Sequence, residues 1–123
     1  MNKYYRLYLF WLLLILFSCS NNNDCSKLPE HYTNYNEAVN IIESASFKIK
    51  EEISTSKSSW IREAAFYSCD GKTGFLIVRT DNQKYISANV PIEIWQGFKN
   101  ANSYGWYYNQ YIKGRYYFRL GSQ

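Results

Sequence analysis

Histidine, methionine and proline are nearly missing from this 123-residue chain, with one His, one Met and two Pro, and there are only three cysteines. A lone His31, lying ahead of the first helical pattern, reads as a solvated residue rather than a general base. There is no Gly-rich phosphate loop, no cluster with metal-ligand spacing and no nucleophile motif. Ser56, Lys57 and Ser58 are neighbours in sequence, which gives a Ser–Lys pair no useful geometry. Glu51 and Glu52 alternate along a strand, so they and Glu43 read as solvated faces. The chain is therefore expected to hold no catalytic site, no metal and no cofactor. Charged residues are few, at 20%, yet 46% hydrophobic content excludes wholesale disorder. The length excludes multi-domain enzymes and long repeat arrays.

Long apolar runs are also lacking. The longest, Leu7–Phe17, has eleven residues, whereas a membrane-spanning helix needs about 20. Two cations precede it (Lys3 and Arg6) and Ser18–Cys19 follows, which is the layout of a signal peptide. Leu16-Phe17-Ser18-Cys19 resembles the lipobox of bacterial lipoproteins, with Phe17 bulkier than the usual residue. That resemblance implies cleavage after residue 18, lipid on Cys19 and localisation in a bacterial cell envelope, at the inner or outer membrane. A secretory signal with an incidental cysteine and an uncleaved anchor are the other readings of the segment. One acyl chain holds only marginally, and the two or three that lipoproteins carry retain the protein without a span. Residues 19–33 then read as the lipidated cysteine and a polar tether.

With Cys19 lipidated, Cys25 and Cys69 remain, an even number in an oxidising compartment. A bridge between them would close a loop of about 45 residues, and two separate thiols are the alternative.

What the chain has in excess is aromatic side chains, 13 Tyr, 7 Phe and 4 Trp. Residues 34–57 read as a helix–strand extension. Ala38, Ile41, Ile42 and Ala45 mark one helical face after a cap at Thr33 or Asn34, and Phe47, Ile49 and Ile53 are expected on one side of a strand. Beyond a Ser-rich loop, Trp60–Ser68, Phe75–Val78 and Lys84–Ala88 alternate with turn residues Asp70–Gly74 and Asp81–Asn82, a meander of short antiparallel strands. Pro91 suits the start of a helix carrying Ile94, Trp95 and Phe98. A shorter helix over Gly105–Ile112 and a closing strand over Arg115–Leu120 follow. The expected fold is α+β, an antiparallel sheet of three to five short strands with helices packed against it.

The ordered set Val90-Pro91, Ile94-Trp95, Phe98, Ala101, Ser103, Gly105, Tyr108-Asn109, Ile112-Lys113 and Tyr116 resembles the KTSC domain, a short bacterial module, over residues 58–120. Family members commonly carry a Tyr-x-Tyr pair before the Val-Pro, whereas Ser87 stands where the second Tyr would be. The resemblance implies the small α+β fold, and RNA binding has been suggested for the family. Read from the residues alone, Gly105 supplies a turn with positive φ and Asn109 satisfies backbone groups in a tight connection. Trp95, Phe98 and Tyr108 read as core.

Charge is split along the chain. Residues 20–70 hold five cations and eight acids, whereas residues 71–123 hold seven and two. Tyr85, Tyr104, Trp106, Tyr107, Asn109, Lys113, Arg115, Tyr117 and Arg119 form the candidate binding surface. Basic aromatic surfaces stack single-stranded bases, lie on sugars or anionic headgroups, or form protein hot spots. A membrane anchor at Cys19 keeps the module from cytoplasmic RNA. An unknown envelope protein is therefore the expected partner, and RNA the alternative.

Overall fold

The computed structural model describes residues 24–121. The signal peptide read over residues 1–18 and the lipidation site Cys19 lie outside the described residues.

Helix α1 (Tyr35–Ser44) begins where the Asn34 side chain accepts a hydrogen bond from the Glu37 N–H at 2.9 Å. The Glu37 carboxylate in turn accepts from the N–H of Thr33, the residue before the cap, at 2.6 Å, which ties the entering chain to the first turn. The face it buries is Ala38, Val39 and Ile42, continued by Ala45, while Ile41 is only half-buried. Strands β1 (Ile49–Ser54), β2 (Glu63–Ser68), β3 (Thr73–Arg79) and β4 (Lys84–Pro91) form one four-stranded antiparallel sheet in sequence order. Helix α2 (Ile92–Lys99) leaves β4 directly, and α3 (Tyr104–Tyr107) runs into a π turn, Tyr108–Ile112. The fold is α+β.

Turn chemistry fixes the strand order. Between β2 and β3, the Asp70 carboxylate accepts from the Lys72 and Thr73 N–H groups, and the Ser68 hydroxyl donates to the Thr73 carbonyl. Between β3 and β4, the Thr80 N–H donates to the Gln83 carbonyl at 2.9 Å. Arg62 closes on this hairpin tip through a two-pronged contact with Asp81, at 2.7 and 3.0 Å.

The alternation of β2 and β3 gives the sheet two apolar faces. Ala64, Phe66, Leu76 and Val78 meet Val90, Trp95, Phe98, Tyr108 and Ile112 on one side. Ala65, Tyr67, Ile77 and Ile86 meet α1 on the other. Helices therefore cover both faces, with the sheet as the middle layer. Trp95, Phe98 and Tyr108 are core residues, and Trp95 stacks on Phe66 with ring centroids 5.6 Å apart. A β-bulge lies between the Gly74–Val90 and Leu76–Ser87 pairs, and Asn89 within it has φ +55°.

Several expectations are corrected. Phe47 lies outside β1 and packs with Tyr67 and Phe75 on the α1 face, opposite Ile49 and Ile53. Arg115–Leu120 is not a strand. It touches β4 by one bridge, Ser87–Tyr117, and by the Ala88 N–H donating to the Tyr116 carbonyl, while Phe118 turns inward against Tyr32, Tyr35 and Phe75. Glu51 stays partly solvated, its side chain 41% exposed, but it is also engaged, accepting from the Trp95 indole and pairing with Lys99 at 2.5 Å. Glu43 likewise pairs with Lys84 at 2.6 Å.

Residues 24–33, read as tether, are tied to the domain at both ends. Asp24 bridges Ser46, and Cys25 is bonded to Cys69 with Cα atoms 5.8 Å apart. The Tyr32 N–H donates to the Leu120 carbonyl at 2.7 Å.

Candidate binding surface

The C-terminal helical segment carries most of the expected surface, and its start is set by Ser103, whose hydroxyl accepts from the Trp106 N–H at 3.2 Å. The π turn closes with the Lys113 N–H donating to the Tyr108 carbonyl at 2.8 Å. This wider turn buries Tyr108 and Ile112 while Tyr111 stays exposed. On its outer face, Trp106, Tyr107 and Tyr111 form an aromatic cluster, with Tyr107 and Tyr111 ring centroids 4.7 Å apart and Trp106 and Tyr111 5.9 Å apart. Tyr107 also reaches across α2, where a side chain at Gly97 would overlap its hydroxyl.

The nine candidate residues fall into separate places. Tyr85, Asn109 and Lys113 line one groove of about 400 Å³ together with Trp60, Tyr108 and Asp81. Trp106 and Tyr107 belong to the outer aromatic cluster. Tyr104 is half-buried against Phe98, with centroids 5.2 Å apart, so it is scaffold rather than surface. The Arg115 guanidinium donates to the Gln110 carbonyl at 3.2 Å, and Arg119 is exposed. Tyr117 is the most exposed large apolar side chain among the described residues, at 70%. Lys113, Arg115 and Arg119 make no ion pair with a described residue.

Two residues act differently from their sequence reading. Gly105 has no positive φ; among the described glycines only Gly71 and Gly114 do. It is a buried helical residue, and a side chain there would overlap the Trp60 indole nitrogen. Asn109 is exposed and makes no side-chain hydrogen bond among the described residues, so it faces the groove rather than closing a turn. Trp60, which the sequence reading placed only in an aromatic strand, is a groove wall set edge-on to Tyr108 at 5.7 Å. Its signal was in the pairing with Gly105, which is 45 positions away and invisible without the fold.

Electrostatics of the groove are mixed. Arg62 hydrogen-bonds Asp81 and holds its carboxyl below the usual range. Burial, with lesser contributions from Tyr35 and Tyr85, pushes the Tyr108 phenol up to about 12. Asp24, Cys25 and Cys69 are the one converging set of three metal-ligating types among the described residues, and the disulfide takes both sulfurs.

A four-stranded antiparallel sheet between helical layers defines a small α+β module. Residues 57–116 match the family model of the KTSC domain, so the chain carries a KTSC domain. No curated protein and no solved structure matches the chain. The matched segment runs from the loop before β2 through the π turn. Helix α1, β1 and the tail from Tyr117 lie outside it, although β1 pairs with β2 along its whole length. The KTSC family is not a known enzymatic family.

Proposed function

We propose that the chain is a lipid-anchored lipoprotein of a bacterial cell envelope whose KTSC module recognises a protein partner through its exposed C-terminal aromatics. The anchor rests on the sequence layout: a basic start, eleven apolar residues and Cys19 at their boundary. The partner surface rests on one observation. Trp106, Tyr111 and Tyr117 stand 58%, 43% and 70% exposed on a domain this small, with Lys113 and Arg115, which make no ion pair with a described residue, in the same segment. Trp, Tyr and Arg are the residue types that dominate protein hot spots. The fixed Tyr107–Tyr111 contact lowers the ordering cost of using them.

A photo-crosslinking residue at position 106 or 117 of the full chain, expressed in intact cells, should capture one envelope protein. Capture should disappear when Tyr111 is changed to Ala. No adduct under several chemistries, or adducts indifferent to Tyr111→Ala, contradicts the docking surface. The excess of cations over acids in residues 71–123 supports single-stranded RNA as the second reading. Binding that falls steeply with salt would distinguish it.

A further inference from the structure

Tyr85, at the start of the edge strand β4, is a ridge between two depressions. On one side is the groove bounded by Trp60, Tyr108, Asn109, Lys113 and Asp81. On the other is a larger groove of about 750 Å³ between the β3–β4 hairpin and α1, where Asn36, Asn40 and Gln83 stand beside Tyr35. Tyr85 and Asn82 line both grooves, which therefore adjoin at the ridge. Each falls in the size range of small-molecule sites.

The chemistry of this double groove is narrow. Tyr85 offers an exposed ring, with the half-buried rings of Trp60 and Tyr35 beside it, and five amide side chains each offer a carbonyl acceptor and an NH₂ donor. The Tyr108 side chain is a further polar group. The residue is 8% exposed, its hydroxyl has no hydrogen-bond partner among the described residues, and it borders the first groove. Fixed charge is sparse, because Lys84 is paired with Glu43 and Asp81 with Arg62, leaving Lys113 as the one cation of the linings without an ion pair among the described residues. A nucleic-acid strand needs several phosphate contacts, and one lysine beside a carboxylate does not provide them. Sugar hydroxyls both donate and accept, which suits amides, and the C–H faces of a pyranose suit aromatic rings. We propose that the Tyr85 ridge and the two grooves it divides bind a neutral oligosaccharide, one ring against Tyr85 and Trp60 and the next against the amide wall of α1.

The walls are held in place before any ligand arrives. Gly105 lets the Trp60 indole seat against α3, and the Tyr35 hydroxyl accepts from the Ile86 N–H on β4. Trp60 and Tyr35 then have little side-chain freedom to lose on binding.

The test is calorimetric titration of the full-length chain in a zwitterionic, sugar-free detergent with chitotetraose, maltotetraose and cellotetraose, and with oligouridylate for comparison. At least one tetrasaccharide should bind, with an affinity unchanged by salt. Tyr85→Ala should weaken it about tenfold and Asn109→Ala by a smaller factor. Both residues are exposed, and both variants should keep the parent near-ultraviolet circular dichroism. Trp106→Ala should leave the titration unchanged, which separates this site from the protein-docking surface. Failure of every tetrasaccharide to bind, an affinity indifferent to Tyr85→Ala, or binding of oligouridylate alone with a steep salt dependence overturns the proposal.

Discussion

The indole nitrogen of Trp60 occupies the space where a side chain at Gly105 would stand. This contact joins the loop before β2 to α3, and it makes Gly105 a packing residue within a helix. Gly105→Ala should cost about 1–3 kcal/mol by overpacking, despite the better helix propensity of alanine. Chemical denaturation with a shift in Trp fluorescence would measure it. A stabilised Gly105→Ala variant would show that Trp60 does not sit there.

The bulge in β4 puts Asn89 at φ +55°, a conformation that β-branched residues resist. Asn89→Gly should stay within about 0.5 kcal/mol of the parent, whereas Asn89→Val should lose about 1–3 kcal/mol. Equal stabilities for the two variants, read from thermal unfolding, would contradict the left-handed backbone.

Cys25 and Cys69, 44 positions apart, tie the N-terminal turn to the end of β2. The oxidised chain should weigh two hydrogens less than the dithiol. Its unfolding free energy should fall by about 4 kcal/mol on reduction, in the chain-entropy account of a loop of this length. An unchanged mass on reduction would sink the bridge.

Alkaline pH should expose the two buried phenols. Tyr67 is pushed up to about 12, first by burial and then by Glu43, Glu52 and Glu63, and Tyr108 to about 12, first by burial and then by Tyr35 and Tyr85. A phenol whose folded pKa is raised contributes stability that is full below its unfolded value near 10. That stability is lost as pH rises from there towards 12. Phenolate absorbance should therefore show late-titrating tyrosines, and Tyr108→Phe should remove one of them. A single step at the ordinary tyrosine pKa would rule this out.

Periodicity made much of this legible. The short apolar runs of β2, β3 and β4, the Asp–Gly and Asp–Asn turns and the α1 face each follow from residues close in sequence. The ordered set from Val90 to Tyr116 pointed to the KTSC domain. What stayed hidden depends on contacts between distant residues. Phe47 lies before β1 begins and turns to the α1 face, opposite Ile49, which one strand's pattern does not reveal. RYYFRL alternates like a strand, but Phe118 is drawn into the aromatic cluster of Tyr32 and Tyr35, and only one bridge to β4 forms. The groove was half-visible, through Tyr85, Asn109 and Lys113. Trp60 and the amides of α1 join it only through the fold.

Membrane attachment through Cys19 is the claim on which the proposed setting depends, and fractionation with intact-mass analysis tests it most directly. Cells expressing the native chain should hold it in membranes, shortened to start at Cys19 and heavier by attached lipid, while Cys19→Ser should lose both the lipid mass and the membrane association. A native chain that is full-length, free of lipid and recovered in the cytoplasmic fraction would contradict the account and favour the RNA-binding reading.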